Sequence, residues 1–325
     1  MREALFVKQN ATKWEQYESM QSSSPDELAD RFIAITDDLA YAKTFYPKSK
    51  TTAYLNGLAA RLHQSIYRNK REKRGRFITF WKQELPLLFK KHEKPLLYAF
   101  LFFIIFCLMG ALSAKYDDTF VRLIMGDGYV NMTNQNIENG DPFGVYKKMD
   151  AFEMFFYIAI NNIWVSFVAF VLGVFFSVGT VYMLIRNGIM LGSFQYYFFS
   201  KGLGWDSVLV IWIHGTLEIS AIVIAGAAGL VLGNSILFPK TYSRMDSFRQ
   251  GAKDGLKIVI GLIPIFIIAA FLEGYVTRHT SMPAWVSCSI LATSLAFIIW
   301  YVIIYPNRLH QSITLSSANG TENRI

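Results

Sequence analysis

The residues best suited to chemistry in this chain of 325 are His214, Glu218 and Glu273. The run His214-Gly215-Thr216-Leu217-Glu218 sets an imidazole and a carboxylate four residues apart, on one face of a helix. Glu273 stands in Phe271-Leu272-Glu273-Gly274-Tyr275-Val276. All three fall within apolar runs, where an ionisable side chain costs about 2.5 to 3.5 kcal/mol on insertion scales and is a functional candidate by default. One imidazole and two carboxylates suit a divalent metal with one position left open. A neutral acid at such a depth would carry a proton or donate a hydrogen bond. The plainer use is hydrogen bonding between helices, which fixes their packing. Asn161, Asn162 and Asn187 are further polar positions in apolar surroundings. There is no Gly-rich phosphate loop, GxSxG elbow or HExxH motif, so no catalytic residue is assigned and no cofactor is expected beyond that metal.

The elements that must hold these groups are membrane helices. The chain is 53% hydrophobic and 16% aromatic with only 17% charged residues, and its mean hydropathy is +0.28, values foreign to a soluble protein of this length. Six apolar segments are readable: 95–114, 154–185, 187–200, 207–233, 257–276 and 284–305. The expected fold is an all-α polytopic bundle of about six spans, the third short or re-entrant, behind an N-terminal cytoplasmic helical domain. Asn187-Gly188 is the expected break between the second and third segments, either as a tight turn or as a discontinuous helix around a substrate. Gly188 with Gly192, and Gly229 with Gly233, have the spacing that lets helices approach closely, in the bundle or in a homodimer. Cys107 and Cys288 lie in apolar runs and read as packing residues.

Charge sets the expected orientation. Residues 1–67 carry eight basic and eight acidic residues and balance. Residues 68–94 carry ten basic residues against Glu72, Glu84 and Glu93, a net +7 just before the first apolar segment. Basic flanks stay on the cytoplasmic side, and anionic lipid attracts them at about 1 kcal/mol per residue, which assigns Arg68, Lys70, Arg71, Lys73, Arg74, Arg76, Lys90, Lys91 and Lys94 to membrane-lipid binding. No recognition motif points to nucleic acid. The loop 115–153 holds four basic and seven acidic residues and belongs outside. Both termini are then cytoplasmic.

The division expected is 1–94 cytoplasmic and helical, 95–305 transmembrane, and 306–325 an irregular cytoplasmic tail. Before the membrane, one helix carries Phe6, Trp14 and Tyr17. A second starts at Ser24-Pro25-Asp26-Glu27, a cap with proline at the first helical position, runs through Leu28, Phe32, Ile33, Ile35, Leu39 and Ala42, and stops by Pro47. A third carries Tyr54, Leu55, Leu58, Leu62, Ile66 and Tyr67. Phe77 to Phe89 reads as an amphipathic helix on the membrane surface or as a hairpin packed on itself.

Together Trp14, Ser24-Pro25-Asp26-Glu27-Leu28-Ala29, Leu55-Asn56-Gly57-Leu58, His63 with Ile66-Tyr67, Asn161-Asn162, Asn187-Gly188-Ile189-Met190-Leu191-Gly192, His214-Gly215-Thr216-Leu217-Glu218 and Phe271 to Thr277 resemble the stage II sporulation protein M family across almost the whole chain. The resemblance implies a membrane scaffold that gathers cell-wall hydrolases at a septum, without catalytic activity of its own. For long forms such as this one it implies envelope proteins found with an RDD-family membrane protein and a MoxR-type ATPase. A scaffold is the leading expectation. A transporter or channel using His214, Glu218 and Glu273 is the alternative, and an intramembrane metalloenzyme the second.

Overall fold

The computed structural model describes residues 2–19, 25–67, 75–147, 149–279 and 282–322, and the described residues contain helices and turns with no strand. The chain divides into two compact units, Met1–Arg76 and Phe77–Ile325.

The first unit contains α1 (Glu3–Ser19), α2 (Pro25–Phe45) and α3 (Lys50–Tyr67). Apolar residues at helical spacing give each helix one greasy face, and the three faces meet in a core of Phe6, Trp14, Ile35, Leu39, Ala42, Leu55, Leu58 and Leu62. The Trp14 indole donates to Asp38 Oδ2 at 2.8 Å, which satisfies the one polar atom this large side chain takes inside. Ile33, read with the buried face of α2, is 58% exposed. Ser24 and the stretch 68–74, with Arg68, Lys70, Arg71, Lys73 and Arg74, lie outside the described residues.

The second unit opens with α4 (Arg76–Thr79), a π turn (Phe80–Glu84) and α5 (Leu85–Lys91) in continuous succession. Phe77 and Ile78 are 73% and 59% exposed, but from Leu85 the stretch packs into the bundle and not on itself. Leu85, Leu88 and Phe89 enter the bundle core beside Ile258, Leu262, Ile265 and Tyr301. Its polar groups are tied to the same neighbours: the Trp81 indole donates to the Gly261 carbonyl at 3.1 Å, the Tyr301 hydroxyl to the Trp81 carbonyl at 2.7 Å, and Lys257 pairs with Glu84 at 2.7 Å. The amphipathic pattern was read correctly, but the apolar partner is protein.

The helices α6 (Glu93–Tyr116), α7 (Asp118–Met125), α8 (Asp127–Glu138), α9 (Ala151–Val171), α10 (Val178–Ser200), α11 (Gly204–Leu237), α12 (Arg244–Phe271), α13 (Ala284–Ile299) and α14 (Tyr305–Glu322) complete the unit. Five helices among the described residues are long and apolar enough to cross a membrane: Glu93–Tyr116, Ala151–Val174, Gly204–Leu237, Arg244–Val276 and Ala284–Leu315. On α6 the side chains of Leu101, Ile105, Leu108 and Leu112 face outward, an apolar surface suited to lipid. The protein is a membrane protein. α11 is the central helix, with Ala221, Ala225 and Ala228 fully enclosed and α9, α12, α6, α10 and α13 around it.

The break predicted at Asn187-Gly188 is absent. Both residues sit inside α10, where Asn187 Nδ2 donates back to the Met183 carbonyl at 2.8 Å. The chain turns instead at Phe175–Ser177, after a 3-10 turn at Leu172–Val174, with Phe176 and Ser177 at φ of 53° and 67°. The third segment is therefore a 23-residue helix, about 35 Å long and so of sufficient length for a hydrocarbon core of about 30 Å, but it is not among the five that are also apolar enough. The last helix also runs on past 305 to Glu322, where an irregular tail was expected. Pro306, which has no amide to donate, is the second residue after the π turn Trp300–Ile304, where the hydrogen-bond register is already shifted.

Candidate functional site

Three helices bring polar groups together inside the bundle, toward the end that carries the loop 117–150. His214 and Glu218 project from one face of α11, one turn apart, and Glu273 reaches them from the π turn Leu272–Val276 that ends α12. One donor atom from each of the three lies within 4.8 Å of the other two. His214 Nε2 is 3.6 Å from Glu273 Oε2. His214 is 4% exposed, whereas the two glutamates are only partly buried.

The π turn has a direct part in this geometry. Its wide bond, from the Thr277 amide to the Leu272 carbonyl at 2.8 Å, places Thr277 against the imidazole, and Thr277 Oγ1 is 3.0 Å from His214 Nδ1. The same hydroxyl donates to the Leu272 carbonyl at 3.2 Å. When that proton stays with Leu272, Oγ1 accepts from Nδ1–H and Nε2 presents its lone pair toward Glu273, and the other tautomer reverses both roles. Such inserted turns recur at functional sites because they re-aim side chains that a regular helix would point elsewhere.

From α9, Asn162, 6% exposed, turns its side chain to the Glu218 carboxyl in a contact looser than a well-formed hydrogen bond. One turn along the same face, the fully enclosed Ser166 leaves its hydroxyl unpartnered. Tyr146, from the short turn Gly144–Lys147, presents its ring edge-on to His214 with centroids 5.8 Å apart. Burial, then the Glu273 carboxylate, holds the Tyr146 phenol above its ordinary range, and burial pushes that of Tyr129 up to about 12. Both rings therefore remain neutral. Beside Ile213 and Thr277 lies a cavity of about 370 Å³, with Asp141, Asp206, His279 and Ser287 also in its wall, and His214, Glu218 and Glu273 do not line it. Thr277 thus belongs both to this vestibule and to the His214 hydrogen bond.

The other residues singled out in the sequence lie elsewhere. Asn161 is exposed and donates to Asn162 Oδ1 at 3.3 Å. Asn187 is on α10 with a backbone partner of its own. Gly188 and Gly192 face the α6 backbone at Phe103 to Ala111, and Gly229 and Gly233 face Ala169, Gly173, Ser177 and Thr180, so both glycine pairs are used in contacts within the chain. Lys90 pairs with Glu93 at 2.6 Å and Lys91 with Asp254 at 2.7 Å. Thr277, Ser166 and Tyr146 carried no assigned role in the sequence. Thr277 had a usable signal, its spacing of four from Glu273, while Tyr146 comes from a loop that no periodicity describes.

Residues 99–278 match the family model described as Stage II sporulation protein M, and this range spans more than half of the chain. The chain belongs to that family. The match takes in His214, Glu218, Glu273 and Thr277. It begins after the motifs around Trp14, Pro25 and Leu55, which the resemblance groups with it. Those fall in residues 4–68, which match a different model, described as Domain of unknown function (DUF8413). The family likeness is therefore one of the membrane bundle, and the N-terminal unit is a module with a match of its own. Neither a curated protein nor a solved structure matches the chain.

Proposed function

We propose that the protein is an assembly scaffold of a bacterial cytoplasmic membrane, crossing six times with both termini inside and recruiting partner proteins through its N-terminal unit. The observation that carries this reading is a groove of about 430 Å³ on that unit, between α1 and α3, with Trp14 and Tyr54 among its lining and Glu15, Glu18 and Lys50 at its edge. An aromatic floor within a charged rim is the usual composition of a protein-recognition patch. The basic residues before α6 favour the cytoplasmic side and anionic lipid. By the family's character, cell-wall hydrolases, an RDD-family protein and a MoxR-type ATPase are the first partners to test. Photo-crosslinkers placed at Ala11 and Glu15 in native membranes should trap a discrete partner, and the same groups at Leu108 in the lipid-facing row of α6 should not. Equal or absent crosslinking at all three sites defeats the proposal.

A second reading, passage of a proton or cation, is favoured by the vestibule at Thr277, the hydrogen-bond partner of His214, and by the grouping of His214, Glu218 and Glu273. Glu218→Gln with Glu273→Gln should then abolish flux in proteoliposomes, and unchanged flux removes these groups from any such path.

A further inference from the structure

We propose that His214, Glu218 and Glu273 form a binding site for one divalent transition-metal cation of the zinc class, oriented by Thr277 and open at its fourth position. This inference does not depend on the scaffold reading.

The argument begins with the lone pairs. With Nδ1–H turned to Thr277 Oγ1, 3.0 Å away, His214 presents the Nε2 lone pair that a metal requires. That lone pair looks at a carboxylate oxygen 3.6 Å away, and a second carboxylate donor lies within 4.8 Å of both. With Nδ1–H on Thr277 and both carboxyls ionised, three acceptors face one another, and a medium of low dielectric screens their repulsion only weakly. A cation at their centre turns it into attraction. The second observation comes from a different helix. Asn162, 6% exposed, turns its side chain to Glu218 in a contact looser than a well-formed hydrogen bond, and Ser166, one turn on, has an unpartnered hydroxyl in a fully enclosed position. Buried polar atoms without partners are rare in native proteins and call for an occupant.

Ligand chemistry selects the cation. An imidazole nitrogen disfavours magnesium and calcium, which take oxygen donors, and suits zinc, manganese, iron or cobalt. Zinc bonds of about 2.0 to 2.2 Å place tetrahedral donors roughly 3.3 Å apart, close to the 3.6 Å between His214 and Glu273. The Glu218 donor, within 4.8 Å of the other two, must close by up to about 1.5 Å to reach tetrahedral spacing. The second bond needed by a ligating imidazole, from the ring nitrogen that does not touch the metal, is the one Thr277 supplies. Three protein ligands leave one position for water or another ligand, as in zinc sites that act on molecules rather than merely brace a fold.

The experiment uses the full-length protein in detergent, stripped with a chelator and titrated with Zn²⁺ against a fluorescent zinc chelator. In parallel, Co²⁺ is added and its visible absorption followed. One equivalent of metal should bind, with the d–d bands of low-coordinate cobalt. His214→Gln and Glu273→Gln should each weaken Zn²⁺ binding at least 100-fold, Thr277→Val should weaken it 10- to 100-fold, and Asn161→Ala should leave it unchanged. Zn²⁺ should raise the unfolding temperature of the wild type and not that of Glu273→Gln. Where a variant fails to fold, the wild-type cobalt spectrum and the Thr277→Val titration still decide. Absence of uptake by the wild type overturns the proposal. So does Zn²⁺ binding of equal strength in a His214→Gln, Glu218→Gln, Glu273→Gln triple variant, which would mark adventitious surface binding.

Discussion

A methyl group is the smallest probe of how closely these helices approach. At Gly192 an added Cβ would overlap the Cys107 carbonyl and come within 2.8 Å of the Ala111 amide, and at Gly188 it would lie 2.7 Å from the Phe103 carbonyl. The obstacles are backbone atoms, so α6 and α10 would have to separate. Gly192→Ala should therefore destabilise by about 1 to 3 kcal/mol, seen as a lower unfolding midpoint in detergent. Gly57, inside α3, has nothing within 4 Å of the same added atom. There the substitution only removes the backbone freedom of glycine, and it should stabilise the helix by about 0.5 to 1 kcal/mol, read as slower amide exchange in α3. Opposite signs for the same chemical change test the packing itself. Loss of stability at Gly57, or none at Gly192, would contradict it.

Among the elements, the stretch Phe77 to Lys91 shows how far pattern carries and where it stops. Its apolar face was legible because helical spacing reports a buried side, but spacing does not name the covering surface, and lipid and protein look alike to it. Two substitutions separate the contributions. Leu85 is fully enclosed against Gly261 and its neighbours, so Leu85→Ala should cost about 2 to 5 kcal/mol. Lys257 and Glu84 are 30% and 33% exposed, so Lys257→Met should cost under about 1 kcal/mol, as solvent screens the pair. Unfolding midpoints of the two variants give the ranking, and the reverse order would mean that the ion pair rather than the core holds the segment. The turn between α9 and α10 was hidden for another reason. Asn-Gly is a common turn signal, yet here Asn187 bonds within its helix and Gly188 serves an interhelical contact. The true turn puts Phe176 and Ser177 in left-handed conformations that neither residue type advertises. The Ser177 amide bonds to the Gly173 carbonyl, and the close seating of Gly173 and Gly233 against this corner holds it. The intramembrane triad was legible because ionisable groups in apolar runs are conspicuous. Its supports, Thr277, Ser166 and Tyr146, were not, since hydroxyl-bearing residues are unremarkable in any helix or loop.

At the scale of the whole molecule, the relocated turn decides the number of crossings. With α10 at 23 residues, the chain between Ser200 and Gly204 and the chain between Leu237 and Arg244 fall on opposite ends of α11. If α10 crosses, the acidic loop 117–150, Lys201 and His279 share one side of the membrane, and Ser177 and Tyr242 share the other. Arg186 does not oppose this, because it is exposed on α10 and lies about 12 Å along the helix from Val178, near enough to a surface for its long side chain to reach the headgroups. Single cysteines at Asn139, Lys201, His279, Ser177 and Tyr242, in a background with Cys107 and Cys288 replaced by alanine, test the arrangement on intact cells. An impermeant maleimide should label the first three and reach the last two only after lysis. Were α10 to dip and return, Lys201 would be shielded and Tyr242 labelled from outside. That would put Asp141 on one side of the membrane and Asp206 and His279 on the other, although the three wall one cavity, so the same five cysteines also test the cavity itself.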